Sequence, residues 1–222
     1  MEREFKKFGG EIIKDLGQYV REHMETFPDE TIYVGCDSDS RRNGRKIMYA
    51  DVIAFYDHDK RAGVHYIFNR ESLPGNPVKV KKTGNKAIDK KAIKKALSSS
   101  IFQKIWLEVE RIKEIGYYFE KELDGIYPRK SPEELVEMGF KSHQNKLVDL
   151  DVDINPIPGW TPSQFNLIDA GLDPGLPQNR SNIVYEAAKA FLEGEHGFRV
   201  RYKPNSWASK CAADMICKGG KA

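Results

Sequence analysis

Between positions 3 and 26, apolar residues recur at helical spacing (Phe5, Phe8, Ile12, Leu16, Val20, Met24), which predicts an N-terminal amphipathic helix with Gly9-Gly10 as its weak point. Past the break at Phe27-Pro-Asp-Glu the pattern changes. Residues 31 to 36 are rich in β-branched and aromatic side chains, as a buried strand is, and residues 46 to 56 and 63 to 70 read as two further strands. The polar connections between them, 40–45 and 57–62, are too short for a crossover helix. An antiparallel meander of three strands is therefore expected.

Helical periodicity returns from about residue 86 to about residue 123, with Ile101, Ile105, Val109 and Ile112 along one stripe. Ser131-Pro-Glu-Glu supplies an N-cap and a proline at the first helical position, predicting a short helix to about 138. Residues 147 to 154 alternate. Val148, Leu150, Val152 and Ile154 share one face of a fourth strand, and Asp149, Asp151 and Asp153 share the other. A helix over 181–192, a fifth strand over 198–202 and a final helix over 206–216 complete the pattern. Residues 155 to 180, rich in proline and glycine, suit no regular element and read as a functional insertion. No repeat divides the chain, so one domain spanning 1–222 is expected.

Composition narrows the class. The 222 residues are 40% hydrophobic and 31% charged, as in a soluble globular protein, and no apolar stretch is long enough to cross a bilayer. The N-terminal segment lacks the apolar core of a secretion signal, which makes cytoplasmic residence the expectation. Cys36, Cys211 and Cys217 form neither a CxxC pair nor a zinc spacing. Cys36 reads either as a small buried strand residue or as a reactive thiol. A net charge of +3 excludes a generally basic nucleic-acid protein. Lysine is nevertheless concentrated from Lys79, Lys81, Lys82 and Lys86 onward, in a stretch that either attracts phosphates or forms a solvated entry to the long helix.

The chemistry-bearing feature is a set of four acidic clusters: Asp37 with Asp39 after the first strand, Glu108 on the long helix, Asp151 with Asp153 on the fourth strand, and Asp214 on the last helix. Carboxylates held on apolar elements are costly unless something positive compensates them. A pair of hard divalent cations, which prefer oxygen ligands, is the economical compensation. Asp37 sits where a rigid strand delivers a side chain into open space. Asp39 either reaches the same side or caps the turn. Glu108 lies beside the apolar stripe and is either a metal ligand or the partner of Lys104 or Arg111. Asp153, at the end of its strand, is the strongest candidate there, while Asp214 either joins it or pairs with Lys210. His65, mid-strand, reads as packing. His143, in the loop before the fourth strand, is a candidate proton shuttle.

Three runs, Val34-Gly-Cys-Asp-Ser-Asp, Leu150-Asp-Val-Asp-Ile-Asn and Lys203-Pro-Asn-Ser-Trp-Ala-Ser-Lys-Cys-Ala-Ala-Asp, resemble in their order the motifs of the DUF458 (YkuK) family of ribonuclease H-like proteins. That resemblance implies an α/β, ribonuclease H-like fold: a five-stranded mixed sheet, its first three strands antiparallel, flanked by helices. It also implies an acidic site of the two-metal type, with Asp37 and Asp153 at the strand positions and Asp214 at the final-helix position. Glu108 is assigned by helix register alone. The chain departs from the family pattern at Asp39, where glutamine is usual, and in insertions near 117–146 and 155–180.

The expected function is a nuclease using two Mg²⁺ or Mn²⁺ ions held by Asp37, Glu108, Asp153 and Asp214, with Asp39 and Asp151 in reserve. Its partner would be RNA, RNA–DNA hybrid or branched DNA, with Arg41, Arg42, Arg45 and the lysines from 79 onward along the phosphate backbone. Two alternatives use the same residues. One is a haloacid dehalogenase-type phosphatase, in which Asp37 and Asp39 would be nucleophile and acid/base. The other is a nucleic-acid-binding protein without turnover.

Overall fold

In the computed structural model, which describes residues 3–41, 45–57, 64–75, 83–154, 181, 184–203 and 205–219, the expected meander is present. Strands β3 (Thr31–Arg41), β4 (Lys46–Tyr56) and β5 (His65–Pro74) pair antiparallel in sequence order. On the other side of β3, β6 (Asp149–Val152) runs parallel to it, and β7 (Arg199–Arg201) runs parallel to β6.

The sheet has seven strands rather than five. Phe5–Lys7 (β1) and Ile12–Ile13 (β2) form a hairpin that pairs with β5, giving the order β2-β1-β5-β4-β3-β6-β7. The helix expected over 3–26 is accordingly cut to α1 (Leu16–Thr26), capped by the Asp15 carboxylate, which accepts from Gln18 N at 2.9 Å. Gly10, at φ 86°, adopts a conformation that closes a turn and cannot continue a helix. The hairpin covers an otherwise unpaired edge of β5 and carries Phe5 into the core at 1% exposure. A three-to-four-residue spacing was legible, but sheet pairing overrode it.

Two helical layers enclose the sheet. Helix α2 (Lys86–Glu122) lays Ile105, Val109, Ile112, Ile115 and Phe119 against Ile32, Val34, Ile53, Phe55 and Ile67. After it come α3 (Pro132–Glu137), with the Ser131–Glu134 capping box, and α4 (Tyr185–Lys189), which continues as π-helical turns over Ala190–Glu195. The opposite face is covered by the C-terminal helix, π-helical over Ala208–Ala213 and α-helical as α5 (Asp214–Cys217). Its small residues pack on Tyr33, Ala50, Val52 and Ala54. A Cβ on Gly35 would stand 2.5 Å from Ser209 N, so the helix reaches β3 only because that position has no side chain.

Buried charges are paired on both faces of the sheet. Under α2, Arg111, 4% exposed, donates to both Asp51 oxygens at 2.9 and 2.6 Å and to Glu71 at 2.8 Å, and on the opposite face Arg199 donates to Asp149 at 2.5 Å. Among the described residues, no helix is long and apolar enough to cross a membrane. The expected insertion at 155–180 lies outside the described residues; the one at 117–146 comprises the end of α2, α3 and their connections.

Candidate active site

The site begins where two parallel strands part. Cys36 opposite Val152 is the last pair between β3 and β6, yet β3 runs on to Arg41. The first strand is thus five residues longer than residues 31–36 suggested, because β4 continues to pair with it from Asp37 to Arg41. It is β6 that ends, leaving a notch at its C-terminal end. Asp37 is the residue of β3 beside that notch, and Asp153 is the next residue after β6.

Parallel register and strand alternation place Tyr33, Gly35 and Asp37 on the same face as Asp149, Asp151 and Asp153. That face lies under the C-terminal helix, which carries Asp214. Glu108 arrives from α2 on the other face and accepts a hydrogen bond from the Ser38 hydroxyl, one residue beyond Asp37. The four primary candidates therefore come from both helical layers and two strands to one end of the sheet.

Electrostatics tie them together. The Asp37 carboxyl is pushed up to about 7, first by burial, then by the charges of Asp153 and Asp214, and the Ser38 amide and Lys104 offset this in part. Glu108, 4% exposed, is raised well above the carboxylate range by burial and then by Asp37. Lysines hold part of the excess charge: Lys203 Nζ lies 2.7 Å from Asp153 Oδ1, and Lys218 Nζ lies 2.6 Å from Asp214 Oδ1. Lys104 donates to the Ser38 carbonyl at 2.9 Å.

As these side chains stand, no three His, Cys, Asp or Glu groups among the described residues converge closely enough to hold a metal ion. Ser38, Lys203 and Lys218 hold oxygens that a cation would take. The donor set itself suits a hard cation, being all carboxylate. Asp153 Oδ1 is buried and makes no hydrogen bond, its contact with Lys203 being an ion pair without hydrogen-bond geometry. Its positive partner is the Lys203 ammonium, whose place a bound cation would take.

Comparison with protein-family models, with curated proteins and with solved structures gives no match to this chain.

The remaining candidates divide. Asp39 lies two residues further along β3 than Asp37, opposite Met48. Asp151 sits inside the sheet, where its Oδ2 accepts from Ala208 N at 2.7 Å, and burial pushes its carboxyl up to about 7. Arg45 is exposed at the start of β4 and Lys86 at the start of α2. Lys79, Lys81, Lys82, Arg42 and the side chain of Arg41 lie outside the described residues.

Three pairings differ from expectation. Arg111 serves Asp51 and not Glu108, because it lies deeper under β4. Asp214 pairs with Lys218, one turn after it, and not with Lys210. His65 is more than packing: its Nε2 is 2.7 Å from the Tyr19 hydroxyl, and its ring stacks on His23. His143 precedes the N-terminal end of β6, with Nε2 3.3 Å from Glu193 O, so it stands at the wrong end of the strand to serve as a shuttle at Asp153. Ser38, the partner of Glu108, was not among the expected site residues, although strand alternation already aims it toward α2.

Proposed function

We propose that this chain is a divalent-metal-dependent nuclease of ribonuclease H-like architecture. The observation that carries the reading is the notch itself: Asp37 and Asp153 stand in register where β6 ends, and the charges of Asp153 and Asp214 act on the Asp37 carboxyl. The strand order supports it too. Without the N-terminal hairpin, β5-β4-β3-β6-β7 is a meander of three antiparallel strands followed by two parallel ones, the arrangement expected from the resemblance to the DUF458 (YkuK) family.

Asp37, Glu108, Asp153 and Asp214 would hold Mg²⁺ or Mn²⁺, which supply Lewis acidity at the phosphate and a more acidic bound water. The residues around them set the stage for that chemistry. Asp37, central among the four, is the natural shared ligand. Ser38 fixes the rotamer of Glu108 from the strand side. Lys203 and Lys218 neutralise Asp153 and Asp214, and a cation held by those carboxylates would take over that role. Arg45 and Lys86, exposed at element starts, are positioned to meet a phosphate backbone.

A haloacid dehalogenase-type phosphatase fits less well. That architecture sends its first strand through a helix into a parallel neighbour, whereas β3 turns directly into antiparallel β4. The test is cleavage of labelled single-stranded RNA, RNA–DNA hybrid and branched DNA with Mg²⁺ or Mn²⁺. Wild type should cut at least one, and Asp37→Asn and Asp153→Asn should fall to background. Equal cleavage by all three proteins would overturn the reading. Binding without any cleavage would select the inert nucleic-acid-binding alternative.

A further inference from the structure

Lys104 stands four residues before Glu108 on α2, so helix geometry brings both side chains to the face that meets β3. There Glu108 accepts from the Ser38 hydroxyl, and Lys104 donates to the Ser38 carbonyl at 2.9 Å. The Ser38 amide in turn donates to the Asp37 carboxylate. The amide and carbonyl of one strand residue point to the same side of the strand. Both are therefore turned away from β4, toward the edge that β3 exposes where β6 ends. The Lys104 ammonium thus reaches the notch beside Asp37, and its charge acts on Asp37 and Glu108 alike.

Three lysines among the described residues serve this site, and Lys104 is held differently from the other two. Lys203 and Lys218 are paired with Asp153 and Asp214 themselves, the groups a cation would take. Lys104 is anchored by a backbone carbonyl instead, so an ion that binds the carboxylates does not compete for its anchor. Its charge stays in the site when the site fills. At short range a fixed ammonium repels a second divalent ion and attracts a phosphate oxygen. An ammonium also has three donors, of which the carbonyl takes one.

We propose that Lys104 is the second cation of this site: the carboxylates hold one divalent ion, and the Lys104 ammonium stands where another would otherwise bind and donates to the phosphate from the α2 side. The phosphate contact rests on the nuclease reading; the ion count does not.

Titration of the full chain with Mn²⁺ in the absence of nucleic acid, followed by calorimetry and by electron paramagnetic resonance of the free ion, counts ions apart from catalysis. Wild type should take up one ion per chain, and Asp37→Asn should lose it. Lys104→Met, a neutral side chain of similar length, should take up two, whereas Lys104→Arg, which keeps the charge, should stay at one. Lys104→Gln is the second neutral variant should Lys104→Met not fold. On any nucleic acid that wild type cuts, Lys104→Met should lose about a hundredfold in kcat at low Mn²⁺ and recover as Mn²⁺ is raised; a merely structural loss would not respond to the ion. Two ions in wild type, or one in both neutral variants, would overturn the assignment of Lys104 and leave the nuclease reading standing. No ion in wild type would overturn both. One ion in wild type and two in the neutral variants, in a chain that cleaves nothing, would refute the nuclease reading and leave Lys104 as the stand-in for an ion.

Discussion

Asp37 concentrates the conflict on which the site depends. Burial and two carboxylate neighbours raise its carboxyl to about 7, so the folded chain holds that proton more tightly than the unfolded chain does. A raised acid of this kind contributes stability that is fully present below the unfolded pKa, about 4, and is lost as pH rises through about 7. In the absence of divalent metal, Asp37→Asn should therefore be more stable than wild type near pH 8, on the order of 2 kcal/mol. Toward pH 5 the advantage should shrink, since wild-type Asp37 is then protonated. Urea unfolding at the two pH values measures it, and a pH-independent difference would show that Asp37 does not carry the strain. Cysteine behaviour is a second residue-level matter. Cys36 and Cys217 are buried, with burial the main cause of raised thiol pKa values in both, to about 12 for Cys217, whereas Cys211 is exposed. Maleimide labelling of the native chain should modify Cys211 first and leave Cys36 untouched, which settles the two readings of Cys36 in favour of a structural residue.

At the scale of elements, legibility depended on whether the signal was local. The span of β4, the long helix and the Ser131 N-cap could be read from side-chain period and cap chemistry, because each is decided within its own segment. The N-terminal hairpin could not. Its residues carry a helical spacing, and only the free edge of β5, far along the chain, makes the extended form preferable. The same holds within the site. Asp37, Asp153, Glu108 and Asp214 were identifiable as carboxylates on apolar elements, but Ser38 as the partner of Glu108 and Lys203 as the partner of Asp153 depend on how the layers dock, whereas Lys218, one turn after Asp214, was a local signal left unread. Gly35 is the position where docking is most exposed to test. Gly35→Ala would drive a methyl group into the backbone of the C-terminal helix at Ala208 and Ser209, neither of which is a flexible side-chain end. A loss of about 1–3 kcal/mol is expected, the usual cost of overpacking, read from urea denaturation. Arg111→Met is a harsher change, because it leaves Asp51, 0% exposed, with Arg3 at 3.7 Å as its only ion pair among the described residues, and should cost about 3–5 kcal/mol. If Arg111→Met proved neutral, the buried network would not be holding α2 to the sheet.

For the whole molecule, the position of the notch matters more than any one ligand. It lies where α2, the sheet and the C-terminal helix meet, so charge repulsion there pushes against all three layers at once. A cation bound by Asp37 and Asp153 together with groups from both helices would consequently act as a clamp on the entire fold. Ligands that bind only the folded state stabilise it by mass action, by about 2.7 kcal/mol at a hundredfold excess over Kd. Mn²⁺ or Mg²⁺ should accordingly raise the melting temperature of the wild-type chain in a saturable way, and chelation should reverse the shift. Asp37→Asn and Asp153→Asn should abolish most of it, while Asp39→Asn, two residues further along β3, should retain it. The pH sign separates this clamp from nonspecific ion effects. Metal competes with protons for Asp37 and Glu108, both raised, so the thermal shift should be large near pH 8 and small near pH 5. Ca²⁺, larger and less demanding in geometry, provides the control for charge alone. A shift of equal size in wild type and in both Asn variants would mean that the ions act elsewhere on the surface, and the four carboxylates would then have to be explained as a strained structural cluster.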